Sequence, residues 1–181
     1  MRNWIGLSCL IDYKIYMDAI KDLISDFKNL RSLEGEIRNA AISLVNCFRS
    51  GGKLLLCGNG GSCADCEHIA GELVKKFAIE RPLNEEIIEK LGPELSRELH
   101  GGLPALSLPS MIGFHTAFNN DDNPEFAFAQ QVVAFGKPHD ILWGITTSGN
   151  SSNVVYAAKT ARSLGLGTIA LTGSSGGAIA K

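Results

Sequence analysis

Two runs of small polar residues have the composition and spacing to hold an anion. The first is Cys57-Gly58-Asn59-Gly60-Gly61-Ser62, which follows the apolar run Lys53-Leu54-Leu55-Leu56. The second is Thr146-Thr147-Ser148-Gly149-Asn150-Ser151-Ser152-Asn153, which follows Asp140-Ile141-Leu142-Trp143-Gly144-Ile145. Each reads as a strand, a loop and the start of a helix. Such a junction aims backbone N–H groups and hydroxyls at one point with a helix N-terminus behind them, which suits a phosphate. The first run lacks the third glycine of a dinucleotide fingerprint and the Gly-Lys-Ser/Thr of a nucleoside-triphosphate loop, so the ligand expected is a small phosphate ester. In the second run Ser148, Ser151 and Ser152 are the natural ligands, with Thr146 and Thr147 at the strand end. The plainer alternative is that small residues close tight turns and that Asn150 or Ser151 caps a helix.

On the helical pattern after the first loop, Asp65, His68 and Glu72 share one face. His68 and Glu72, four apart, have the spacing of two metal ligands on one helix. Glu72 also suits a general base beside a sugar, and a solvated helix face is the competing reading. Cys63-Ala64-Asp65-Cys66 is a C-x-x-C that, with His68, matches a soft zinc site or a redox pair; with no second C-x-x-C, two buried small residues are favoured. Asn119-Asn120-Asp121-Asp122-Asn123 falls between a strand and a helix, where substrate loops gather in α/β sheets. Turn and capping chemistry is its alternative. His100, His115 and His139 have no evident partner.

The elements that must position these residues alternate. Tyr16, Ile20, Leu23, Ile24, Phe27 and Leu30 recur at helical spacing, as do Leu33, Ile37, Ala40, Ala41, Leu44, Val45 and Phe48. Strands are expected near 53–56, 105–108, 140–145 and 168–171. Helices are expected over 63–77, 123–135 and 150–164, with shorter ones at 84–90 and 94–99 inside a charged segment. Residues 178–181 read as a first helical turn. Strands alternating with helices predict a doubly wound parallel sheet with helices on both faces. The favoured reading of these stripes is intrachain core; the first helix lies outside that alternation, and packing on a partner subunit is its alternative. The sheet is expected to keep one open edge, covered by a partner or by further sequence.

A chain of 181 residues supports one α/β domain with a substantial core, and a formal net charge of -2 gives no electrostatic case for nucleic acid or an anionic membrane. No apolar run is long enough to span a bilayer. Residues 1–11 read as a mature N-terminus, since their apolar stretch is short and no small-x-small site follows. Five cysteines, an odd number, point to free thiols in a reducing cytoplasm.

Taken together, Cys57-Gly58-Asn59-Gly60-Gly61-Ser62, then Asp65, His68 and Glu72, then Asn120-Asp121, then Thr147-Ser148-Gly149-Asn150-Ser151-Ser152-Asn153-Val154 resemble the sugar isomerase (SIS) domain. Within it they are most similar to the phosphoheptose isomerase group. The resemblance runs from about residue 15 to the end. It implies a flavodoxin-like or Rossmann-like sheet, with an N-terminal helical segment over 1–50 and the SIS domain over 51–181. It implies isomerisation of sedoheptulose 7-phosphate to D-glycero-D-manno-heptose 7-phosphate through an enediol. Glu72 would be the base and a zinc ligand, and His68 a second zinc ligand. Substrate contacts would come from Asn59, Gly60, Gly61, Glu72, Asn120, Asp121, Thr146, Thr147, Ser148 and Ser151. It further implies a homotetramer with active sites between subunits. Two departures stand out. The last strand and helix of the family, which supply a glutamine and a histidine to the zinc site, are not found before Lys181. Residues 80–102 read as an insertion. Related proteins leave two other functions open: a non-catalytic scaffold for the bacterial replication initiator, and a sugar-phosphate-sensing module.

Overall fold

The computed structural model describes residues 13–181. Cys9 and the reading of residues 1–11 lie outside the described residues. The four described strands are β1 (Leu54–Gly58), β2 (Ala105–Ser107), β3 (Ile141–Thr146) and β4 (Gly167–Thr172). They form one sheet in the order β2-β1-β3-β4, and every neighbouring pair is parallel. The helices are α1 (Tyr13–Asp26), α2 (Glu34–Arg49), α3 (Gly61–Val74), α4 (Glu85–Glu98), α5 (Ile112–Asp121), α6 (Ala127–Phe135) and α7 (Ser152–Ser163).

A strand inside a sheet covered on both faces needs apolar side chains on both, and β1 has them: all its residues are buried. The pleat sends Leu54 and Leu56 into a cluster with Cys47 and Phe48 of α2 and Cys66 and Ala70 of α3. Leu55 and Cys57 enter the opposite cluster with Phe128 and Val132 of α6 and Val154 and Ala157 of α7. Each fully buried leucine contributes about 2 kcal/mol of apolar transfer. Helices therefore cover both faces, as the alternation predicts. The lower ends of β1 and β3 are tied by buried Asp140, which accepts the Lys53 and Lys137 backbone N–H groups at 2.9 and 2.8 Å and the Lys53 ammonium.

The order also fixes where loops meet. From β1 the chain crosses to β2 on one side, and β3 crosses to β4 on the other. The carboxyl ends of β1 and β3 therefore border the topological switch point, where a crevice opens in sheets of this kind. The edge strand β4 is largely exposed, in keeping with the open edge expected.

Several boundaries differ from the sequence reading. α3 starts at Gly61 and ends at Val74, two residues earlier and three residues shorter at its ends than the 63–77 pattern. Residues 124–126 form a 3-10 turn before α6, and Gly177–Ala180 is 3-10 rather than α. A 3-10 turn over Lys28–Leu33 breaks the first helical region. The expected loop at 119–123 is in large part the end of α5, which periodicity did not reveal: α5 buries none of its residues, and Met111 before it makes no side-chain cap. The charged segment at 84–99 is helical with a break where expected, at Gly92 and Pro93.

Candidate functional site

The loop after β1 turns at Gly60, whose φ of 57° and ψ of -120° favour glycine, and α3 starts at once. Ser62 and Cys63 donate their backbone N–H groups to Asn59 and Gly60 carbonyls, winding the first turn tightly. Asn59, Gly60 and Gly61 are exposed at its head. After β3, Gly149 takes φ 69° and donates its N–H to the Thr146 carbonyl at 3.0 Å. Thr146 itself is buried, and its hydroxyl meets that of Ser151 at 3.1 Å. Ser148 accepts the Asn150 N–H at 3.2 Å. Ser151 occupies the cap position of α7, but its hydroxyl makes no cap bond and is turned to Thr146 instead.

The structure joins the two loops. Asn59 and Asn153 exchange reciprocal amide hydrogen bonds, both 2.9 Å. The N-termini of α3 and α7 thus stand side by side at the switch point, and their dipoles add a positive field to the hydroxyls there. A third loop, after β4, lies across the second. Gly173 N–H reaches the Thr147 carbonyl at 2.9 Å, Ile179 N–H the Gly149 carbonyl at 3.0 Å, and Ala178 N–H the Asn150 side chain at 2.9 Å. Any Cβ on Gly149 would lie 2.1 Å from the Gly176 carbonyl oxygen, so this approach requires glycine. Asn153 as a clasp and the 173–179 loop as a floor were not singled out from the sequence. The Gly-Ser-Ser-Gly-Gly run at 173–177 was the available signal.

The remaining candidates sit on α5 and along α3. Asn120 donates to Asp121 at 2.8 Å, and both are exposed at the end of α5. Glu72 is eleven residues on from Gly61, so it sits about 16 Å along α3 from the helix start. The crevice and Glu72 are therefore at opposite ends of one helix. Around Glu72, Oε1 lies 3.2 Å from Lys75 Nζ and 3.9 Å from His68 Nε2, while Oε2 is buried and makes no hydrogen bond. His68 is 77% exposed and Glu72 25%. The carboxylate borders a cavity of about 350 Å³ lined mainly by apolar residues of α1, α2 and α3. Arg81 enters the same cavity; burial pulls its guanidinium below the ordinary value, and the Glu72 charge opposes that shift.

His68 and Glu72 fit two positions of a zinc ion, being close together with an unused carboxylate oxygen between helix and cavity. Among the described residues no group of three His, Cys, Asp or Glu converges, so the described chain supplies only these two donors. The C-x-x-C does not add to them. Cys66 is fully buried and burial pushes its thiol up to about 12, and burial raises Cys63 as well. Cys66 packs as a small apolar group in the core, whereas Cys63 is partly exposed.

The SIS domain family profile matches residues 15–102 and 101–173. Phosphoheptose isomerase of Crocosphaera subtropica is 45% identical over 130 residues, covering 72% of this chain and 57% of that protein. The probable phosphoheptose isomerase of Thermoplasma volcanium is 40% identical over 173 residues, covering 95% and 78%. Against several curated relatives the chain spans between 57% and 60% of their length. Among solved structures, phosphoheptose isomerase GmhA from Neisseria gonorrhoeae superposes with a TM-score of 0.67 at 33% identity, over 92% of this chain and 76% of that one. A phosphoheptose isomerase from Francisella tularensis gives 0.69 at 34%, over 92% and 78%. The strand order, the paired glycine loops at the switch point and these matches agree, and the chain belongs to the SIS domain family.

Proposed function

We propose that this protein interconverts a phosphorylated ketose and aldose, sedoheptulose 7-phosphate and D-glycero-D-manno-heptose 7-phosphate. One observation carries the reading most: two hydroxyl- and glycine-rich loops, clasped by Asn59 and Asn153, meet over neighbouring helix N-termini. In this reading Thr146, Thr147, Ser148 and Ser151, with Asn59, Gly60 and Gly61, hold the phosphate and adjacent hydroxyls. Neutral donors suffice because the helix dipoles supply the positive field. Asn120 and Asp121 bind further sugar hydroxyls.

Glu72 is the base. Its carboxylate takes a proton from C1 of the ketose, whose C–H electrons become the C1–C2 double bond as a water molecule gives a proton to the C2 oxygen. The resulting 1,2-enediol regains a proton from Glu72 at C2 and returns the O1 proton to the hydroxide so formed, leaving the aldehyde. Apolar residues of the cavity lie beside Glu72, and Lys75 at 3.2 Å offers a counter-charge. Zinc, bound through His68 and Glu72, would polarise the oxygens on C1 and C2.

The crevice and Glu72 lie at opposite ends of α3, which fits sites formed between subunits of a homotetramer. Exposed Phe27 and Leu33 beside the helical hairpin, and Val74, Phe77 and Ile79 at the end of α3, supply apolar surface for that assembly. Unbonded Cys47, Cys57, Cys63 and Cys66 favour a reducing cytoplasm, and no described helix is long and apolar enough to cross a membrane.

Conversion in deuterated water tests the reaction. The proposal expects aldose bearing deuterium at C2, because the proton on Glu72 exchanges with solvent. Aldose formed with no deuterium at C2 would show a hydride shift and remove Glu72 from its role.

A further inference from the structure

The charged 80–102 segment leaves the end of α3 and returns to the same place. A helix end leaves its last carbonyls without intrahelical donors, and here the two necks of the segment supply them. On the way out, Arg81 Nη2 donates to the Glu72 carbonyl at 3.1 Å and also to the Lys75 carbonyl. On the way back, Leu103 N–H donates to the Leu73 carbonyl at 2.9 Å. Gly101 N–H donates to the Arg81 carbonyl at 2.7 Å and ties the two necks together. Gly102 presses on the helix so closely that a Cβ there would lie 2.7 Å from the Val74 carbonyl oxygen.

Arg81 is only 7% exposed, unusual for a residue in so polar a stretch. Both bonds come from the single Nη2, so an ammonium with three donors can restore them in part, whereas a thioether can donate neither. Meanwhile the Glu72 carboxylate has one oxygen, Oε2, with no hydrogen bond to fix it. Its direction is set by Lys75, 3.2 Å from Oε1, and by the backbone of the last helical turn, where Arg81 is bonded to the carbonyl of Glu72 itself.

We propose that Arg81 is a positioning residue for Glu72, clamping the last turn of α3 so that the carboxylate is held at the cavity. This rests on the reading of Glu72 as the base. It gives the insertion a task beyond surface decoration: its necks brace the catalytic end of α3, whatever its outer helix α4 does.

Arg81→Met and Arg81→Lys test it through three readouts. These are hydrogen exchange over residues 71–77, kcat and KM with sedoheptulose 7-phosphate, and calorimetric affinity for that sugar phosphate. The clamp predicts that Arg81→Met speeds exchange over 71–77 by about tenfold, the loss of a charged hydrogen bond, with β1 and β3 unchanged. It predicts a fall in kcat of similar size with KM and affinity little altered, and partial recovery of both in Arg81→Lys. Unchanged exchange over 71–77 would overturn the clamp. Altered exchange with kcat unchanged, or with kcat and affinity lost together, would overturn the positioning role. Should Arg81→Met fail to fold, Arg81→Lys is read against the native protein by the same criteria. A native protein that binds the sugar phosphate without turning it over would instead defeat the reading of Glu72 as base, while exchange still decides the clamp.

Discussion

Ser151 shows how a residue's type can be legible while its partner is not. The hydroxyl-rich loop reads from its composition as a candidate phosphate cradle, and Ser151 also fits a helix cap. In the structure its hydroxyl bonds Thr146 rather than capping α7, so the two hydroxyls form one unit at the strand end. The account expects Ser151→Ala to weaken sugar-phosphate binding about tenfold, the scale of one hydrogen bond to a charged group. Titration calorimetry measures this, and unphosphorylated sugar should show no difference between the two proteins. The Asn59–Asn153 clasp was not legible, because its members are 94 residues apart and only the β1–β3 pairing brings them together. Arg81 was hidden for the opposite reason. Its local sequence, Ile79-Glu80-Arg81-Pro82, reads as exposed and charged, and only the return of the chain at 101–103 buries it.

At the scale of elements, apolar runs located the four described strands to within one or two residues, since buried parallel strands write themselves as continuous hydrophobic stretches. The order β2-β1-β3-β4 was not readable, because alternation fixes handedness and layers but not which strand neighbours which. α5 was missed for want of an apolar stripe. Cysteines in these elements give a pH test. Burial pushes the Cys47 thiol on α2 from 9.0 up to about 11, and that of Cys66 on α3 from 9.0 up to about 12. The folded state thus keeps protons that the unfolded chain releases, so the stabilisation is complete below about pH 9 and is lost as pH rises toward the folded values. At pH 10 each thiol costs roughly 1.4 kcal/mol. Urea denaturation should show a stability that holds from neutral pH to about pH 8 and falls between about pH 9 and 11. Replacing Cys66 with alanine should reduce that slope even as it lowers the overall stability through lost packing.

For the whole molecule, the sheet gathers the phosphate loops at one end of α3, while α1, α2 and the necks of the 80–102 segment enclose Glu72 at the other. In the proposed mechanism, binding and proton transfer fall to different parts of the same helix. This division argues that removing the base should leave phosphate recognition intact. The most direct measurement compares the protein with its Glu72→Gln variant, zinc added to both, following sedoheptulose 7-phosphate to the aldose by carbon-detected NMR and its binding by calorimetry. The account predicts turnover by the native protein, none measurable by Glu72→Gln, and sugar-phosphate affinities that agree within about threefold, less than one hydrogen bond. Equal turnover by the two proteins, or no turnover by the native one, would contradict it.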